Sequence, residues 1–439
     1  MAQPTDDASC ASATKNEYIG WGLIPEPLLL HICSFLGSAD RLRVCAVCFR
    51  WRNVAATTAR LWTTFDFTHD IFGMSKYDSY FEACMKMYGN HVRTLRMSTA
   101  PAVAVQILQL CAQNCHALEE VRIAYDVSFR RRYDYMAAVV HNLFRAMARV
   151  STLRRVRMPG LAEWVETYPN AQSAPRRESF ELQCANITAI DLRRFTRKRV
   201  PLRFSGCPNL RRLAVSYHNM DEEGLRDLYK CSLDKISVEV DIIDELMATA
   251  WRYLKHAHKG LHWHMMFPRD AGAFWFPDVV VNSVTCEGGI GMMHVLFMVN
   301  RKQIPLEKLV CPGSGRKNPK LEGLQRNMLR VLYTVRPCVR LRCLLYGDDI
   351  LVSTLLAVAA MYRDLDKLYI RRGAVIFRKD PDISQVPGFP AAILNMIQTT
   401  EVTSMDDLEH QVSCIMGRRW RTTTDGCWEE TVRVVGDPL

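Results

Sequence analysis

The stretch LRRLAVSYHNMDEEGLRDLYKCSLDKISV, Leu210–Val238, contains two loose copies of the pattern Leu-x-x-Leu-x-Leu, separated by a segment of a different kind. In each copy the apolar residues alternate with other residues, as they do in a short strand that has one face in a core. The intervening DEEGLRDLYK has apolar residues at helical spacing. A strand, a helix and a second strand in this order predict one turn of a repeating α/β structure.

The same pattern recurs along most of the chain. The clear copies are LEEVRI (Leu118–Ile123), LRRVRM (Leu153–Met158), LRRLAV (Leu210–Val215), LDKISV (Leu233–Val238), LEKLVC (Leu306–Cys311), LRCLLY (Leu341–Tyr346) and LDKLYI (Leu365–Ile370). Weaker copies lie near Leu95, Leu182, His262 and Val284. Some neighbouring copies are 23 or 24 residues apart, whereas the step from Val121 to Val156 is 35 residues. Such steps predict a solenoid with insertions between some of its turns.

A different pattern precedes the repeats, in WGLIPEPLLLHICSFLGSADRLRVCAVCFRWRNVAATTARLWTTFDF. Its apolar residues recur at helical spacing in two short segments, which begin after Pro25 and Gly37. In both segments more than one face is apolar. Two short helices cannot cover that much apolar surface by contacting each other, so either the following domain or a partner protein must cover the rest. We favour a partner.

The order of residues in this module resembles an F-box. The matching residues are Ile24-Pro25, Ile32-Cys33-Ser34-Phe35-Leu36, Asp40, Val47-Cys48-Phe49-Arg50-Trp51-Arg52 and Leu61-Trp62. The chain departs from the family in having Ile24 for Leu, Pro27 for Glu and Arg41 for an apolar residue. In the family this module docks on a Skp-type adaptor, which tethers the protein to a cullin–RING ubiquitin ligase. The resemblance implies these adaptor-binding or module-core positions: Pro25, Leu29, Ile32, Leu36, Val47, Cys48 and Trp51.

An F-box followed by such repeats resembles the F-box/leucine-rich-repeat proteins. The resemblance implies an α/β fold in which a short all-helical F-box precedes an irregular leucine-rich-repeat solenoid, with parallel strands inside and helices outside. It divides the chain into a disordered tail at 1–20, the F-box at 21–67, the repeat array at 68–417 and a carboxy-terminal cap or tail at 418–439. In that family the repeats capture the protein that is ubiquitinated, while catalysis resides in other subunits. The chain is therefore expected to be a substrate receptor of an SCF-type ubiquitin ligase, without a cofactor and without enzymatic activity of its own.

Two other classes of function remain open. One is a leucine-rich-repeat scaffold that binds an acidic protein or nucleic acid without ubiquitination, although a scaffold has no need for an exposed apolar helix pair. The other is an enzyme, which would need a nucleophile, a general base and an orienting group. No family arrangement of such residues is recognisable in the sequence.

The chain is basic, with a formal net charge of +11 and an isoelectric point near 9.0. In a Leu-x-x-Leu-x-Leu strand the apolar positions face the core, so the residues between and just outside them face the concave surface. This rule places on that surface Arg122, Arg155, Arg157, Arg212, Lys235, Lys308, Lys367 and Arg371, with Glu120 and Glu239 as an acidic minority. We expect this surface to bind an acidic or phosphorylated segment of the substrate. The alternative is that these are ordinary solvated charges.

Two motifs have the spacing of metal or redox sites. Cys45 and Cys48 form a Cys-x-x-Cys pair, but the periodicity places both inside one helix, where packing is the expected role. KHAHKGLHWHMM gathers His256, His258, His262 and His264 without an adjoining acidic or cysteine ligand. Zinc binding and ordinary surface or concave-face positions both remain open for these histidines.

Two basic segments have alternative interpretations. CPGSGRKNPK, Cys311–Lys320, has glycines beside basic residues but lacks the spacing of a Walker loop, so a basic repeat loop is expected. RRFTRKR, Arg193–Arg199, fits either a nuclear localisation signal or the exposed face of a helix.

The remaining composition favours the cytoplasm, the nucleus or both as the location of the chain. The first twenty residues contain no apolar signal-peptide core, and no run of eighteen apolar residues occurs, so no membrane association is expected. The 16 cysteines are scattered singly, so they are expected to be reduced thiols that pack as small apolar residues.

Overall fold

The computed structural model describes residues 24–68, 77–99, 101–124, 136–160, 179–195, 200–240, 248–268, 281–287, 299, 304–313, 326, 328–330, 332–333, 340–380, 383–386 and 389–437. The helices within these ranges are α1 (Glu26–Phe35), α2 (Ser38–Val47), α3 (Phe49–Thr57), α4 (Tyr77–Tyr88), α5 (Pro101–Asn114), α6 (Met136–Ala148), α7 (Glu222–Leu228), α8 (Ala248–Ala257), α9 (Val352–Met361), α10 (Ala391–Thr399), α11 (Met405–Met416) and α12 (Asp425–Gly436).

The strands described are β1 (Thr64–Phe67), β2 (Thr94–Ser98), β3 (Glu120–Ala124), β4 (Arg155–Arg157), β5 (Phe180–Glu181), β6 (Ala189–Leu192), β7 (Leu202–Arg203), β8 (Arg212–Ser216), β9 (Lys235–Glu239), β10 (His262–Phe267), β11 (Ser283–Cys286), β12 (Lys308–Cys311), β13 (Cys343–Tyr346), β14 (Ile350–Leu351), β15 (Lys367–Ile370) and β16 (Val375–Ile376). Twelve of them form one parallel sheet in the order β1-β2-β3-β4-β6-β8-β9-β10-β11-β12-β13-β15. The pairs β5–β7 and β14–β16 form separate two-stranded sheets.

The sheet follows the order of the chain. Each strand lies beside the one before it and runs in the same direction, so every connection must return the chain to the starting edge of the sheet. Repetition of this step makes the array α/β and solenoid-like.

All seven clear copies of the repeat pattern contain strands of this sheet, and so do the weaker copies near Leu95, His262 and Val284. The weaker copy near Leu182 was assigned wrongly as a repeat strand, because β5 pairs with β7 outside the main sheet. The main sheet instead contains β6 at this turn of the chain. It also contains β1, a strand that the leucine pattern did not predict.

The core of the array is a line of apolar side chains that the register brings together. Val121, Val156, Ile190, Leu213 and Ile236 are partners on five successive strands, and all are fully buried. They belong to one apolar cluster that extends from the amino-terminal helices to Trp420. Because each strand buries the same alternate positions, a shift of one residue in register would turn these side chains out of the core.

The amino-terminal helices are continuous with the first strands of the sheet. The Trp62 ring stacks on Tyr88 with centroids 3.9 Å apart, and the Trp62 indole N–H donates to the Ala55 carbonyl at 2.7 Å. Ser38 joins α2 to β1, because its hydroxyl donates to the Thr64 carbonyl and accepts the Asp66 N–H. The module and the array therefore share one interior.

The cysteine pair does not lie inside one helix, and this part of the sequence prediction was wrong. Cys45 is buried in α2, but Cys48 is extended, with φ −158° and ψ 168°, and separates α2 from α3. Its sulfur accepts the Trp51 N–H at 3.4 Å, so Cys48 caps α3. The module therefore has three helices rather than two.

Candidate functional site

The helical module exposes apolar side chains on α1. Leu28, Ile32 and Phe35 are 56%, 41% and 77% exposed, and their spacing of four and three residues places them on one face. The opposite face of α1 buries Leu29 and Cys33 in the core. One face of α1 therefore packs against the core. The apolar side chains of the other face are not covered by any of the described residues.

A second group of exposed apolar side chains lies where α2 meets α3. Val47 is 60% exposed and Phe49 is 80% exposed, on either side of the extended residue Cys48. The break at Cys48 lets α3 start in a new direction, so Val47 and Phe49 are not parts of one helical face. Exposed phenylalanine side chains such as Phe35 and Phe49 are typical of a surface that binds another protein.

Arg41 replaces an apolar residue of the family pattern without losing the contact between helices. Its guanidinium donates to the Cys33 carbonyl at 3.0 Å and to the Leu61 carbonyl. Cys33 lies near the carboxyl end of α1, where the last carbonyls have no partner within the helix. The substitution therefore ties α1 to the segment before β1 by hydrogen bonds.

The seven positions implied by the F-box resemblance differ in exposure. Pro25, Ile32 and Val47 are exposed, Leu36, Cys48 and Trp51 are half-buried, and Leu29 is buried in the core. Leu28, Phe35 and Phe49 also belong to the exposed surface, although the sequence interpretation did not select them. The sequence contained a signal for them. Leu28 and Phe35 lie on the side of α1 away from the buried Leu29 and Cys33, and Phe49 directly follows Cys48.

The second candidate surface is the face of the twelve-stranded sheet opposite Val121, Val156 and Leu213, which we call the open face. The register aligns Glu120, Arg155, Ala189, Arg212, Lys235 and His262 in one row across this face. A second row contains Arg157, Asp191, Ala214, Ser237, His264, Ser283, Lys308, Cys343 and Lys367. Among the predicted basic residues, Arg122 is the partner of Arg157 and Arg212 is the partner of Lys235 on neighbouring strands. Lys308 and Lys367 lie in the same row, with Cys343 between them.

Three of the predicted arginines surround one buried carboxylate. Glu120 forms ion pairs with Arg122, with Arg155 at 3.4 Å and with Arg157 at 3.7 Å. The Glu120 side chain is only 5% exposed, so this carboxylate needs cations to balance the loss of water. These three arginines therefore already pair with a carboxylate of the protein itself.

A second group of carboxylates binds the turn after β6. Arg193 forms a two-pronged pair with Asp191, at 2.8 and 2.7 Å. Arg194 joins Glu239 at 2.6 Å to Glu287 at 2.9 Å. Arg194 has a φ of +53°, a strained value for a residue with a side chain. The described start of the 193–199 segment is therefore a turn over the sheet rather than the face of a helix.

The centre of the open face combines cations with neutral polar groups. Burial lowers the pKa of Lys235 to about 8, and Lys308, Arg212 and Arg157 add to this effect. Burial also lowers the pKa of Lys308. The pKa values of His262 and His264 are lowered by burial and then by Lys235, so both imidazoles are neutral at neutral pH. Ser283 lies between them, with its hydroxyl oxygen 3.2 Å from His262 Nε2 and 2.7 Å from His264 Nδ1.

The four histidines of the sequence motif do not meet at one place. His256 and His258 lie at the end of α8, where His258 Nε2 is 3.1 Å from the Leu228 carbonyl oxygen, whereas His262 and His264 lie on β10. Within the described ranges, no three His, Cys, Asp or Glu side chains are arranged as metal ligands. None of the described helices is both long enough and apolar enough to cross a membrane.

The helix α12 covers the carboxy-terminal part of the open face. Trp428 packs with Val310 and Leu345 in a small apolar cluster that is separate from the main core. The Trp428 indole N–H donates to the Pro312 carbonyl at 3.1 Å, and Arg371 pairs with Asp425 at 2.7 Å. Arg371, predicted to bind substrate, therefore holds the start of α12.

Asp437, which follows α12, lies among the cations at the centre of the open face. Both of its carboxylate oxygens are 3.0 Å from Arg157 Nη1, and its carbonyl accepts a hydrogen bond from Lys235 Nζ at 3.2 Å. By contrast, Arg212, Lys308 and Lys367 form no ion pair within the described residues. The loop residues 314–320 of the CPGSGRKNPK motif lie outside the described ranges.

Comparison with known protein families supports the resemblance of the amino-terminal module. A model of the F-box-like family matches residues 21–68, the segment that contains α1, α2, α3 and β1. No curated protein gives a significant match to the chain. The chain thus contains an F-box-like domain, followed by an α/β solenoid-like array.

Proposed function

We propose that this chain is the substrate-recognition subunit of an SCF-type ubiquitin ligase. Its F-box-like domain binds a Skp-type adaptor, and through it a cullin–RING complex. The array acts as irregular leucine-rich repeats that capture a protein for ubiquitination and subsequent degradation, in the cytoplasm or the nucleus. The chain itself supplies binding surfaces and no catalytic group.

One observation carries the adaptor assignment. The segment that matches the F-box-like family is also the segment whose α1 exposes Leu28, Ile32 and Phe35 on one face, with Phe49 exposed nearby. Exposing these side chains to water is unfavourable by roughly 25 cal/mol for each Å² of apolar area, so a protein partner that covers them gains this free energy. The family match and the uncovered surface therefore point to the same partner.

The recognition part of the proposal depends on the open face. Arg212, Lys308 and Lys367 carry positive charge there, and the protein as a whole is basic. An acidic or phosphorylated segment of a substrate is the complementary partner.

The adaptor assignment is tested with the double variant Ile32→Asp/Phe35→Asp. Both side chains are exposed, so the substitutions should leave the fold intact while placing two charges in the proposed interface. We expect at least a hundredfold loss of affinity for a purified Skp-type adaptor in calorimetry, because buried unpaired charges cost several kcal/mol.

The matched control is Met87→Asp, which changes an apolar residue of α4 that is 65% exposed outside the module. It should bind the adaptor as the wild type does. Unchanged adaptor binding by a folded double variant would reject the proposal.

The alternative is a leucine-rich-repeat scaffold that binds an acidic protein or nucleic acid without ubiquitination. The same cations of the open face would serve it, but it gives no reason for the apolar face of α1. The two functions are distinguished by whether the wild-type chain, reconstituted with adaptor, cullin and RING subunits, ubiquitinates a protein that binds the open face.

A further inference from the structure

The starting edge of the twelve-stranded sheet carries a row of side chains that alternate in charge. The row consists of the residues directly before β2, β3, β4, β6, β8 and β9, which we call the edge row. In chain order they are Arg93, Glu119, Arg154, Thr188, Arg211 and Asp234. Each member after the first donates its backbone N–H to the carbonyl of the member before it, at 2.8 or 2.9 Å, so they are neighbours along this edge. The charges alternate except at Thr188, a neutral residue between two arginines.

The ion pairs of the edge row leave one arginine without a partner. Arg93 pairs with Glu119 at 3.7 Å, and Arg211 pairs with Asp234 at 3.8 Å. The side chain of Arg154 forms no hydrogen bond and no ion pair within the described ranges. The edge row therefore contains one cation more than it contains carboxylates, and the unpaired cation is Arg154.

A surface cavity of about 460 Å³ lies at the place where the alternation fails, and Arg154, Thr188 and Arg211 all line it. The two arginines precede strands that are two positions apart in the sheet, so their backbones are about 10 Å apart with Thr188 between them. The Thr188 hydroxyl donates to the Arg154 carbonyl at 3.2 Å. Because this short side chain is bound to the backbone, it leaves the space between the two long arginine side chains open.

Two asparagines add hydrogen-bond acceptors to the lining of the cavity. Asn186 donates its side-chain N–H to the Ser151 carbonyl at 2.6 Å, and Asn209 donates its side-chain N–H to the Ala185 carbonyl at 2.9 Å. In the part of the chain that the structure describes, neither side-chain oxygen accepts a hydrogen bond. These oxygens can accept the N–H groups of a peptide, which a simple anion lacks.

We propose that this cavity binds an acidic residue of a partner protein, whose carboxylate takes the missing negative position between Arg154 and Arg211. Hydrogen bonds between guanidinium and carboxylate groups are charge-assisted and stronger than neutral ones. The adjoining peptide N–H groups bind the side-chain oxygens of Asn186 and Asn209. The cavity volume lies within the range of roughly 300–1,000 Å³ that is typical of ligand pockets, so it accommodates an acidic residue and its two peptide bonds. This site at the edge of the sheet is separate from α1 and from the open face, and therefore goes beyond the proposed function.

The test uses the full chain and the peptide acetyl-Gly-Asp-Gly-amide, with binding followed by saturation-transfer NMR. Thr188→Glu places a carboxylate of the chain itself between the two arginines. Because this tethered group takes the position of the ligand, we expect at least a tenfold loss of peptide affinity. The midpoint of urea unfolding should not fall in this variant, which separates loss of binding from loss of the fold. Arg154→Met should weaken binding at least fivefold, since it removes a charged hydrogen-bond donor.

Thr188→Gln is the matched control, because glutamine has nearly the size of glutamate but carries no charge. It should bind the peptide within about twofold of the wild type. Arg145→Met removes an exposed arginine of α6 that does not line the cavity, and it should bind as the wild type does. Equal losses in Thr188→Glu and Thr188→Gln, or binding that survives Arg154→Met, would overturn the inference.

Variation of the ligand tests the same contacts without changing the chain. Acetyl-Gly-Asn-Gly-amide keeps the peptide bonds without the charge, and acetate keeps the carboxylate without the peptide bonds. Each should bind at least tenfold more weakly than the aspartate peptide, because each lacks one set of hydrogen bonds. An asparagine peptide that binds as tightly as the aspartate peptide would reject the carboxylate site. Acetate that binds as tightly would reject a protein ligand.

Discussion

At the scale of single residues, the charged form of Lys235 on the open face lowers the stability of the fold. The lysine is half-buried, its amine contacts the Asp437 carbonyl, and three other cations act on it. Its folded-state pKa of about 8 lies below the ordinary value of 10.5. Since a lowered lysine pKa means that the folded state resists protonation, the charged form of Lys235 destabilises the protein.

This cost should depend on pH in a defined window. Below about pH 8 both folded and unfolded states hold the proton, so the full cost is present. Between pH 8 and 10.5 the unfolded state binds more protons, so the contribution of Lys235 to stability improves as the pH rises. Lys235→Met removes the group. We therefore expect the variant to exceed the wild type in free energy of unfolding by more at pH 7 than at pH 10, measured with urea.

Tyrosines and cysteines titrate in the same pH range. They are the same in the wild type and in Lys235→Met, so their contributions cancel in the difference between the two free energies of unfolding. Lys230→Met, which removes an exposed lysine, serves as the control. A Lys235→Met difference that does not change between pH 7 and pH 10 would contradict the assignment.

At the scale of elements, α12 is the one described helix that lies on the open face and contributes to an apolar cluster of its own. The strands supply Val310 and Leu345, which alternate with the core residues Leu309 and Leu344. Val310 and Leu345 lie on the face that also carries the charged side chains, and Trp428 covers them. Gly347 makes the contact possible, because a Cβ at this position would collide with the Pro312 carbonyl and the Trp428 ring.

Removal of the Trp428 side chain should therefore release α12 without unfolding the array. Truncation of a buried tryptophan typically costs about 3–5 kcal/mol, which corresponds to at least a hundredfold faster local opening. We expect Trp428→Ala to raise amide hydrogen exchange in α12 by this factor, while exchange in β8 and β9 stays unchanged. Gly347→Ala should act on α12 in the same direction from the sheet side.

Val434→Ala is the matched control, since this α12 residue is 64% exposed and faces away from the cluster. It should leave exchange in α12 close to that of the wild type. If α12 remains equally protected in Trp428→Ala and Gly347→Ala, the helix is held by contacts other than this cluster.

At the scale of the whole molecule, the repeat pattern predicted most of the strands of the sheet, because strands that bury alternate side chains have apolar residues at regular spacing. The strands that it missed have the same spacing, but with isoleucine or aromatic residues at several of the positions. β6 continues the spacing of Ile187, Ile190 and Leu192, and β1 that of Trp62, Phe65 and Phe67, all of which are buried. Ile187 and Trp62 stand at the position where each of the seven clear copies has leucine.

The open face was predictable only in part, for a different physical reason. Alternation in a strand states which residues share a face, and the register places Arg155, Arg212 and Lys235 in one row. Alternation cannot state which distant group neutralises them. Asp437 pairs with Arg157 across 280 residues of sequence, and Arg194 joins Glu239 and Glu287 through a strained turn. Such pairings depend on the closed fold and have no local signal.

The shared interior of module and array leads to a prediction about the whole chain. In a solenoid each turn contacts only its neighbours, so a terminal turn without a cap exposes its apolar edge. Here the F-box-like domain is that cap, since Trp62 stacks on Tyr88 and Ser38 bonds to β1. Deletion of residues 1–62 should therefore raise hydrogen exchange in β1 to β3 at least a hundredfold, while β13 and β15, far along the sheet, stay protected.

The variant Ile32→Asp/Phe35→Asp provides the contrast, because it alters only exposed positions of the same module. It should leave exchange unchanged at both ends of the sheet. Equal protection of β1 to β3 with and without residues 1–62 would mean that the module is an independent domain joined by a linker. If exchange rises as expected, a deletion of the module would disturb the first turns of the array, so point substitutions on α1 are the better test of the proposed adaptor binding.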